Sequence, residues 1–145
     1  MTDKSKTCNS EEPVSQKELE QKVLQKHQRF NSLCHLVVGV IGPREATEPQ
    51  LKAAQHIGTQ LGKLGLTLIC GGKSGVMEAV SKGCREAGGT MIGILPDSTP
   101  DAANQYVDIP LPTGLGEARN MIIAKSARVL IAVGGSYGTL SEIAY

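Results

Sequence analysis

The sequence predicts an α/β domain built on a doubly wound parallel sheet. Short apolar runs alternate with stretches of helical periodicity from residue 35 to residue 145. The runs are continuously apolar, which is typical of parallel strands covered on both faces. Glycine clusters follow the ends of the runs, where open parallel sheets bind their ligands. Together these observations favour the doubly wound class.

The first half of the predicted domain contains two strand–helix units. The run 36–42 is apolar and ends in Gly-Pro, so we expect a buried strand there, and residues 49–63 carry one apolar helical face. The run 66–70 is the second predicted strand. It leads through glycines into a helix over 75–87, again with one apolar face.

The second half adds two strands and a short extended segment. The run 90–96 is the third predicted strand, and a loop rich in Pro, Asp and Asn follows it. Residues 106–112 form the extended segment, after which a helix is predicted to about residue 127. The run 128–135 is the last predicted strand. This order of elements is that of a Rossmann-like domain.

The helix that begins at Gly138 stops after about two turns, because the sequence ends at Tyr145. A doubly wound sheet normally continues beyond such a helix, so we expect a C-terminally truncated domain whose last helix and strand are incomplete. Residues 130–133 would then form an exposed apolar edge. This predicts poor solubility or obligate homo-oligomerisation.

The N-terminal region differs from the rest in composition. Residues 1–13 are polar and are predicted to form a flexible tail, while Ser15 and Glu18 resemble a capping box that opens a charged helix to about Phe30. We therefore divide the chain into residues 1–33, a tail with a short helix, and residues 34–145, a domain that binds a phosphoryl ligand.

Composition excludes several classes of function. The net charge is +1, aromatic residues make up 3% and no basic stripe appears, so no nucleic-acid partner is expected. No apolar run reaches the ~20 residues of a membrane span, and the polar N-terminus does not resemble a secretory signal. A cytoplasmic location is therefore predicted. The four cysteines share no C-x-x-C spacing, so we expect buried reduced thiols and no metal site.

The first glycine-rich turn joins the second strand to its helix and is the first candidate phosphate site. Glycines let the backbone approach an anion, and the free N–H groups of the following helix point at it. The turn is not a Walker A loop, because Thr67 stands where that motif needs glycine, and no G-x-G-x-x-G dinucleotide motif is present. A tight turn without ligand is the alternative. The candidate residues are Gly71, Gly72, Lys73, Ser74 and Gly75.

The second glycine-rich turn follows the last strand and repeats this geometry. Thr139 can add a hydroxyl to the ring of amides, and Glu142 is predicted on the first turn of the helix, near the mouth of the site. Alternatively, Glu142 only complements the helix dipole. The candidate ligand contacts here are Gly134, Gly135, Tyr137, Gly138 and Thr139.

A third segment, residues 113–120, supplies polar side chains at the same edge of the sheet. Thr113 and Asn120 are candidate ligand contacts, and Arg119 can clamp a phosphate or stabilise a leaving group. A structural salt bridge is the alternative role for Arg119. Gly42, at the end of the first strand, is expected to complete the floor of the site. Arg44 is a second candidate anion contact; alternatively, it is only a solvent-exposed side chain.

Several spaced segments resemble a known family. The segments CGGKSGVMEAVSKGCREAGG, IGILP, YVDIPLPTGLGEARN and VGGSYGTLSEIA are similar to those of the molybdenum-cofactor-carrier-like proteins. These belong to the superfamily of the Lonely Guy phosphoribohydrolases, also described as lysine decarboxylase-like. The resemblance covers residues 35–145 and implies a homo-oligomer that binds a pterin cofactor without turnover. No cofactor is required; the implied ligand is molybdopterin or a nucleotide monophosphate.

The same resemblance implies an alternative, hydrolysis of a nucleoside 5′-monophosphate to free base and ribose 5-phosphate. The phosphoribohydrolases carry a PGGxGTxxE motif with a catalytic glutamate, which Glu142 matches, and an arginine in the preceding helix, which Arg119 matches. Gly134 stands at the proline of that motif and Ser136 at its second glycine. These departures favour a carrier of a small phosphorylated ligand over an enzyme.

Overall fold

The computed structural model describes residues 36–145 together with Ser15, Lys17 and Gln21. The chain divides into two units, Met1–Ser32 and Leu33–Tyr145, and the sheet lies in the second. The predicted tail and nearly all of the predicted N-terminal helix lie outside the described residues, as do Cys8 and Cys34.

The predicted parallel α/β fold is confirmed. The strands are β1 (Val37–Ile41), β2 (Thr67–Cys70), β3 (Thr90–Leu95), β4 (Ile109–Pro112) and β5 (Val129–Ala132). The helices of the described region are α1 (Glu48–Lys63), α2 (Val76–Glu86), α3 (Arg119–Ser126) and α4 (Tyr137–Ala144), with short 3₁₀ turns at Pro100–Ala102 and Gly116–Ala118. Every neighbouring pair of strands is parallel, in the order β4-β3-β2-β1-β5. The strand order therefore reverses at β1, which lies between β2 and β5.

The core occupies both faces of the sheet, as the continuous apolar runs predict. On one face, Val40 and Leu68 pack against α1 and α2. On the other, Ile41 and Ile69 pack against Ile123 of α3. Successive residues of one strand thus point to opposite faces, and both sets are apolar because both faces are covered.

Helices α1 and α2 approach each other closely through glycines. A Cβ atom at Gly58 would lie 2.2 Å from the carbonyl oxygen of Val80, and one at Gly83 would lie 2.1 Å from that of Gln55. Both distances are far shorter than a van der Waals contact, so the two backbones can meet only where side chains are absent. This contact holds α2, and with it the turn that precedes α2, against the sheet.

The extended segment predicted at 106–112 forms β4, an edge strand. Two of its residues, Pro110 and Pro112, have no backbone N–H. Thr113, the next residue, donates its N–H to Leu95 of β3 at 3.1 Å. Because N–H groups alternate in direction along a strand, the two proline nitrogens face away from β3, where prolines are tolerated in sheets.

The opposite edge is β5. The predicted exposed apolar run, residues 130–133, is largely covered, because Leu130 and Ile131 pack against the core and Val133 is buried. Val129 is half-exposed, and α4, which follows β5, exposes Tyr137 (95%), Leu140 (63%) and Ile143 (60%). These three residues of α4 are called the α4 apolar face below. In the described part of the chain, no helix combines the length and the apolar character needed to cross a bilayer.

Candidate functional site

A cavity of about 450 Å³ opens at the carboxyl ends of β1 and β5. Three segments provide most of its lining: residues 42–45 after β1, residues 117–120 at the start of α3, and residues 135–142 at the start of α4. Helix α1 packs with α2, whereas α4 packs with α3. The chain therefore diverges between β1 and β5, and such a switch point is where doubly wound sheets bind ligands.

Arg119 is the most deeply placed charged group of the cavity. It is only 5% exposed, and its Nη1 donates a hydrogen bond to the carbonyl oxygen of Ile94 at 2.9 Å. Its Nε is buried without a hydrogen-bond partner, and no salt bridge within the described residues involves it. Burial lowers the pKa of Arg119 and the nearby Glu142 raises it, but a guanidinium stays protonated. The cavity thus contains a buried cation with unused donor capacity.

Asn120 connects the start of α3 to α4. Its Nδ2 donates to the Ser141 hydroxyl at 2.9 Å, and that hydroxyl donates to the carbonyl oxygen of Gly138 at 2.8 Å. Because a hydroxyl has a single proton, Ser141 can only accept from Asn120, which determines how the amide is oriented. The Oδ1 of Asn120 is consequently left buried and without a partner.

The start of α4 is held by its own cap. The Ser136 hydroxyl accepts from the backbone N–H of Thr139 at 3.4 Å and lies 3.2 Å from the Thr139 hydroxyl. This is the ordinary N-cap arrangement for serine. A Cβ atom at Gly135 would meet no atom within 4 Å, so the backbone of this segment faces open space.

Glu142 lies in the second turn of α4, not in the first turn as predicted, because α4 already begins at Tyr137. It is therefore too far along the helix to serve mainly as a partner of the helix dipole. The side chain is 7% exposed. Burial raises the pKa of Glu142 to about 7, the positive charge of Arg119 lowers it, and Glu117 raises it further.

The rim of the cavity carries charges of both signs. Arg44, Glu45 and Glu117 line the opening and are exposed. With Arg119 and Glu142 inside, the cavity offers both cationic and anionic contacts. Such an arrangement suits a ligand that has an anionic group at one end and hydrogen-bond donors at the other.

The first glycine-rich turn is not among the residues that line this cavity, whereas the sequence predicts that both turns contact one ligand. The reason is the strand order, because β1 separates β2 from β5. Gly72 packs against Gly93, Lys73 forms a salt bridge with Asp97, and Ser74 is exposed. A Cβ atom at Gly75 would lie 2.2 Å from the carbonyl oxygen of Arg44. Gly71 borders the side chain of a cavity residue, Arg119, as described below.

Three further predicted contacts also lie outside the cavity lining. The Thr113 hydroxyl donates to the Leu95 carbonyl at 2.7 Å and so stabilises the turn after β4. Gly134 has a φ of 72° and contacts the side chain of Gln50 on α1. Tyr137 points outward on α4. The predicted residues that do meet at the cavity are Gly42, Arg44, Arg119, Asn120, Gly135, Gly138, Thr139 and Glu142.

Several lining residues were not predicted as ligand contacts. Met77 reaches the cavity from α2, and Glu45 and Glu117 stand at its rim. Glu45 and Glu117 are sequence neighbours of predicted contacts, so extending each candidate segment by a residue or two would have included them. Met77 lies on an apolar helical face, which predicts a core residue. Its place at the cavity follows from the tertiary packing and has no signal in the sequence.

Comparison with known proteins adds the following. A family model described as the SLOG cluster4 family matches residues 35–145. The structure of the molybdenum cofactor binding protein from the phototrophic bacterium Rippkaea orientalis is 44% identical with a TM-score of 0.74, and the match covers 75% of this chain and 68% of that chain. A Moco carrier protein from Chlamydomonas reinhardtii is 47% identical with a TM-score of 0.69, over 75% and 68% of the two chains.

A more distant relative is an enzyme. The cytokinin riboside 5′-monophosphate phosphoribohydrolase of Arabidopsis thaliana is 32% identical over 119 residues, which are 79% of this chain and 50% of the relative. The chain thus spans about half the length of that phosphoribohydrolase. The resemblance stated from the sequence, to carrier-like proteins of the phosphoribohydrolase superfamily, is confirmed.

Proposed function

The chain belongs to the SLOG cluster4 family, and we propose that it is a binding protein for the molybdenum cofactor, a phosphorylated pterin. The observation that carries the proposal is the cavity, where buried polar side chains from separate segments converge at the switch point of the sheet. It is supported by the 44% and 47% identity to two proteins described as binding or carrying that cofactor. The molybdenum would travel as part of the cargo and not as a cofactor of this chain.

The chemistry of the cavity fits such a ligand. A phosphate would be held by Arg119 and by the backbone N–H groups at the start of α4, where Gly138 and Thr139 line the opening. A pterin ring carries an amino group and a ring N–H, which match a carboxylate such as that of Glu142. The Oδ1 of Asn120, which has no partner in the protein, is a further acceptor close to the same wall. The volume of about 450 Å³ lies within the ~300–1,000 Å³ usual for small-ligand sites.

A second function, hydrolysis of a nucleoside 5′-monophosphate, is favoured by one observation. Glu142 and Arg119 are both buried at the cavity, and burial holds the pKa of Glu142 at about 7. A carboxyl group with such a pKa is suited to proton transfer near neutral pH. In this reaction Arg119 would hold the phosphate, and Glu142 would stabilise the oxocarbenium-like charge or direct the attacking water.

One purification and one assay separate the two functions. Protein purified without denaturation is analysed by mass spectrometry and by pterin fluorescence, and the carrier proposal expects a phosphorylated pterin at a stoichiometric level. The same protein is incubated with a panel of nucleoside 5′-monophosphates and assayed for free base. Base release that disappears in Glu142→Gln would refute a pure carrier. Release that persists in this variant would point to a contaminating enzyme.

We also propose that the protein acts in the cytoplasm as a homo-oligomer. The support for self-association is the α4 apolar face, whose three large side chains are more than half exposed next to the open edge of β5. Large contiguous apolar patches on a protein surface commonly mark interaction sites. Analytical ultracentrifugation at several concentrations measures the oligomeric state directly.

A further inference from the structure

We propose that Gly71 is a positioning residue for Arg119: the missing side chain at Gly71 leaves the slot that holds the guanidinium at the floor of the cavity. Gly71 is the first residue after β2, and it belongs to the turn that does not itself line the cavity. The consequence for ligand binding rests on the proposed function. The consequence for the placement of Arg119 does not.

Three groups surround the slot that holds the guanidinium: the backbone of Gly71, the sulfur of Met77 and the carbonyl oxygen of Ile94. A Cβ atom at Gly71 would lie 2.1 Å from Nη1 of Arg119, 2.6 Å from Nη2 and 2.6 Å from the Met77 sulfur. On the far side, Nη1 donates to the carbonyl oxygen of Ile94 at 2.9 Å. The guanidinium therefore lies across the ends of β2 and β3. Even the smallest side chain at position 71 would occupy the same space as its terminal nitrogens.

The nature of the contacts decides what an added methyl group would move. At Gly71 the obstructing atoms are the ends of two flexible side chains, Arg119 and Met77, so the backbone has no need to shift. Gly75, in the same turn, is the opposite case. There a Cβ atom would meet the backbone carbonyl oxygens of Arg44 and Pro43 at 2.2 and 2.5 Å, at a φ of 72°. We therefore expect Gly71→Ala to fold and to lose only the placement of the guanidinium.

The displaced guanidinium can move toward the cavity that it already borders, which Glu142 also lines. Its positive charge lowers the pKa of Glu142 in the native protein. A change in the separation of the two groups therefore shifts this pKa. The titration of Glu142 thus reports where Arg119 lies, whether or not any ligand binds.

The test compares Gly71→Ala with a control, Gly89→Ala. Gly89 precedes β3 at the other end of the sheet, and a Cβ atom there would lie 2.7 Å from the Cys84 sulfur and 2.8 Å from Gly62 Cα. The control crowds the core without approaching Arg119. Carboxyl carbon NMR follows the Glu142 titration, and fluorescence titration follows binding of the phosphorylated pterin formed by air oxidation of molybdopterin.

Gly71→Ala is expected to keep a cooperative thermal transition, to shift the pKa of Glu142 and to weaken pterin binding roughly tenfold or more, the loss typical of a charged hydrogen bond. Gly89→Ala is expected to leave the Glu142 titration and the affinity unchanged. An unchanged Glu142 titration in Gly71→Ala would overturn the proposal. Failure of the wild-type protein to bind the pterin would instead refute the proposed function, and the titration would still test the slot.

A second variant keeps the test decisive if Gly71→Ala does not fold. Arg119→Lys retains the charge but lacks the forked nitrogens that reach Ile94 and fill the slot. It should reproduce the loss of affinity. In the Arg119→Lys background the crowded terminal nitrogens are gone, so Gly71→Ala should fold there and should cost no further affinity, because coupled residues are not additive. A double variant that still fails to fold, or full additivity of the two changes, would overturn the proposal.

Discussion

Replacing Glu142 by glutamine should abolish the contribution of this residue to the pH dependence of stability, which we expect between about pH 4.5 and pH 7. Burial raises the pKa of Glu142 from 4.5 to about 7 in the folded protein. Within this range Glu142 keeps a proton in the folded state that it releases in the unfolded chain. Its contribution to stability therefore falls as the pH rises and changes no further once the pH exceeds about 7. Glutamine does not ionise and is free of this effect.

The size of the effect follows from the same values. One pH unit of difference corresponds to about 1.4 kcal/mol, so a rise from 4.5 to about 7 is worth about 3 kcal/mol. Comparing pH 4 with pH 8, Glu142→Gln should gain about 3 kcal/mol in free energy of unfolding relative to the wild type. The comparison across pH removes any constant cost of the exchange itself.

Urea unfolding at a fixed protein concentration measures this difference. The chain contains no tryptophan, so the signal is circular dichroism of the helices. A control, Glu86→Gln, makes the same exchange at an exposed position of α2 and should follow the wild-type curve. If wild type and Glu142→Gln lose stability in parallel from pH 4 to pH 8, the argument from burial is refuted.

Three further predictions follow from other parts of the molecule. Lys73→Ala should leave pterin affinity within about twofold of the wild type in a fluorescence titration, because Lys73 pairs with Asp97 outside the cavity. It should change stability little, as is usual for exposed ion pairs. A large loss of affinity would place the first glycine-rich turn in the binding site. Leu140→Glu on the α4 apolar face should reduce the mass of any oligomer in ultracentrifugation, and an unchanged mass would exclude that face as the interface. In a variant that lacks Cys8 and Cys34, Cys70 and Cys84 should react with a thiol reagent at pH 8 only after unfolding, because burial raises the pKa of each to about 11. Rapid reaction of the native protein would contradict this.

The elements of the fold were predictable because their signals are local. A strand buried on both faces must be apolar throughout, and runs such as 66–70 satisfy this without reference to the rest of the chain. The predicted strands β1, β2 and β3 end within one residue of the observed ends. The last strand was predicted too long, because Gly134 and Gly135 already belong to the turn.

The composition of the site depended on information that local patterns do not contain. Both glycine-rich turns follow strand ends as predicted, but only the order of strands decides which ends adjoin, and here β1 separates them. Likewise, the sequence predicts that the backbone at Gly71 approaches a ligand. In the structure the group that approaches it is a side chain of the protein itself, Arg119.

The prolines of β4 have a consequence for how copies of the chain can assemble. Copies of a sheet can join into an endless ribbon only if each copy has two edges with free backbone N–H and C=O groups, so that every copy pairs with a neighbour on both sides. On the β4 side, Pro110 and Pro112 have no N–H to offer, so this edge is a poor partner for another strand. A sheet that cannot accept a strand at its β4 edge cannot be extended from copy to copy on that side. The two prolines therefore act against growth into a fibre.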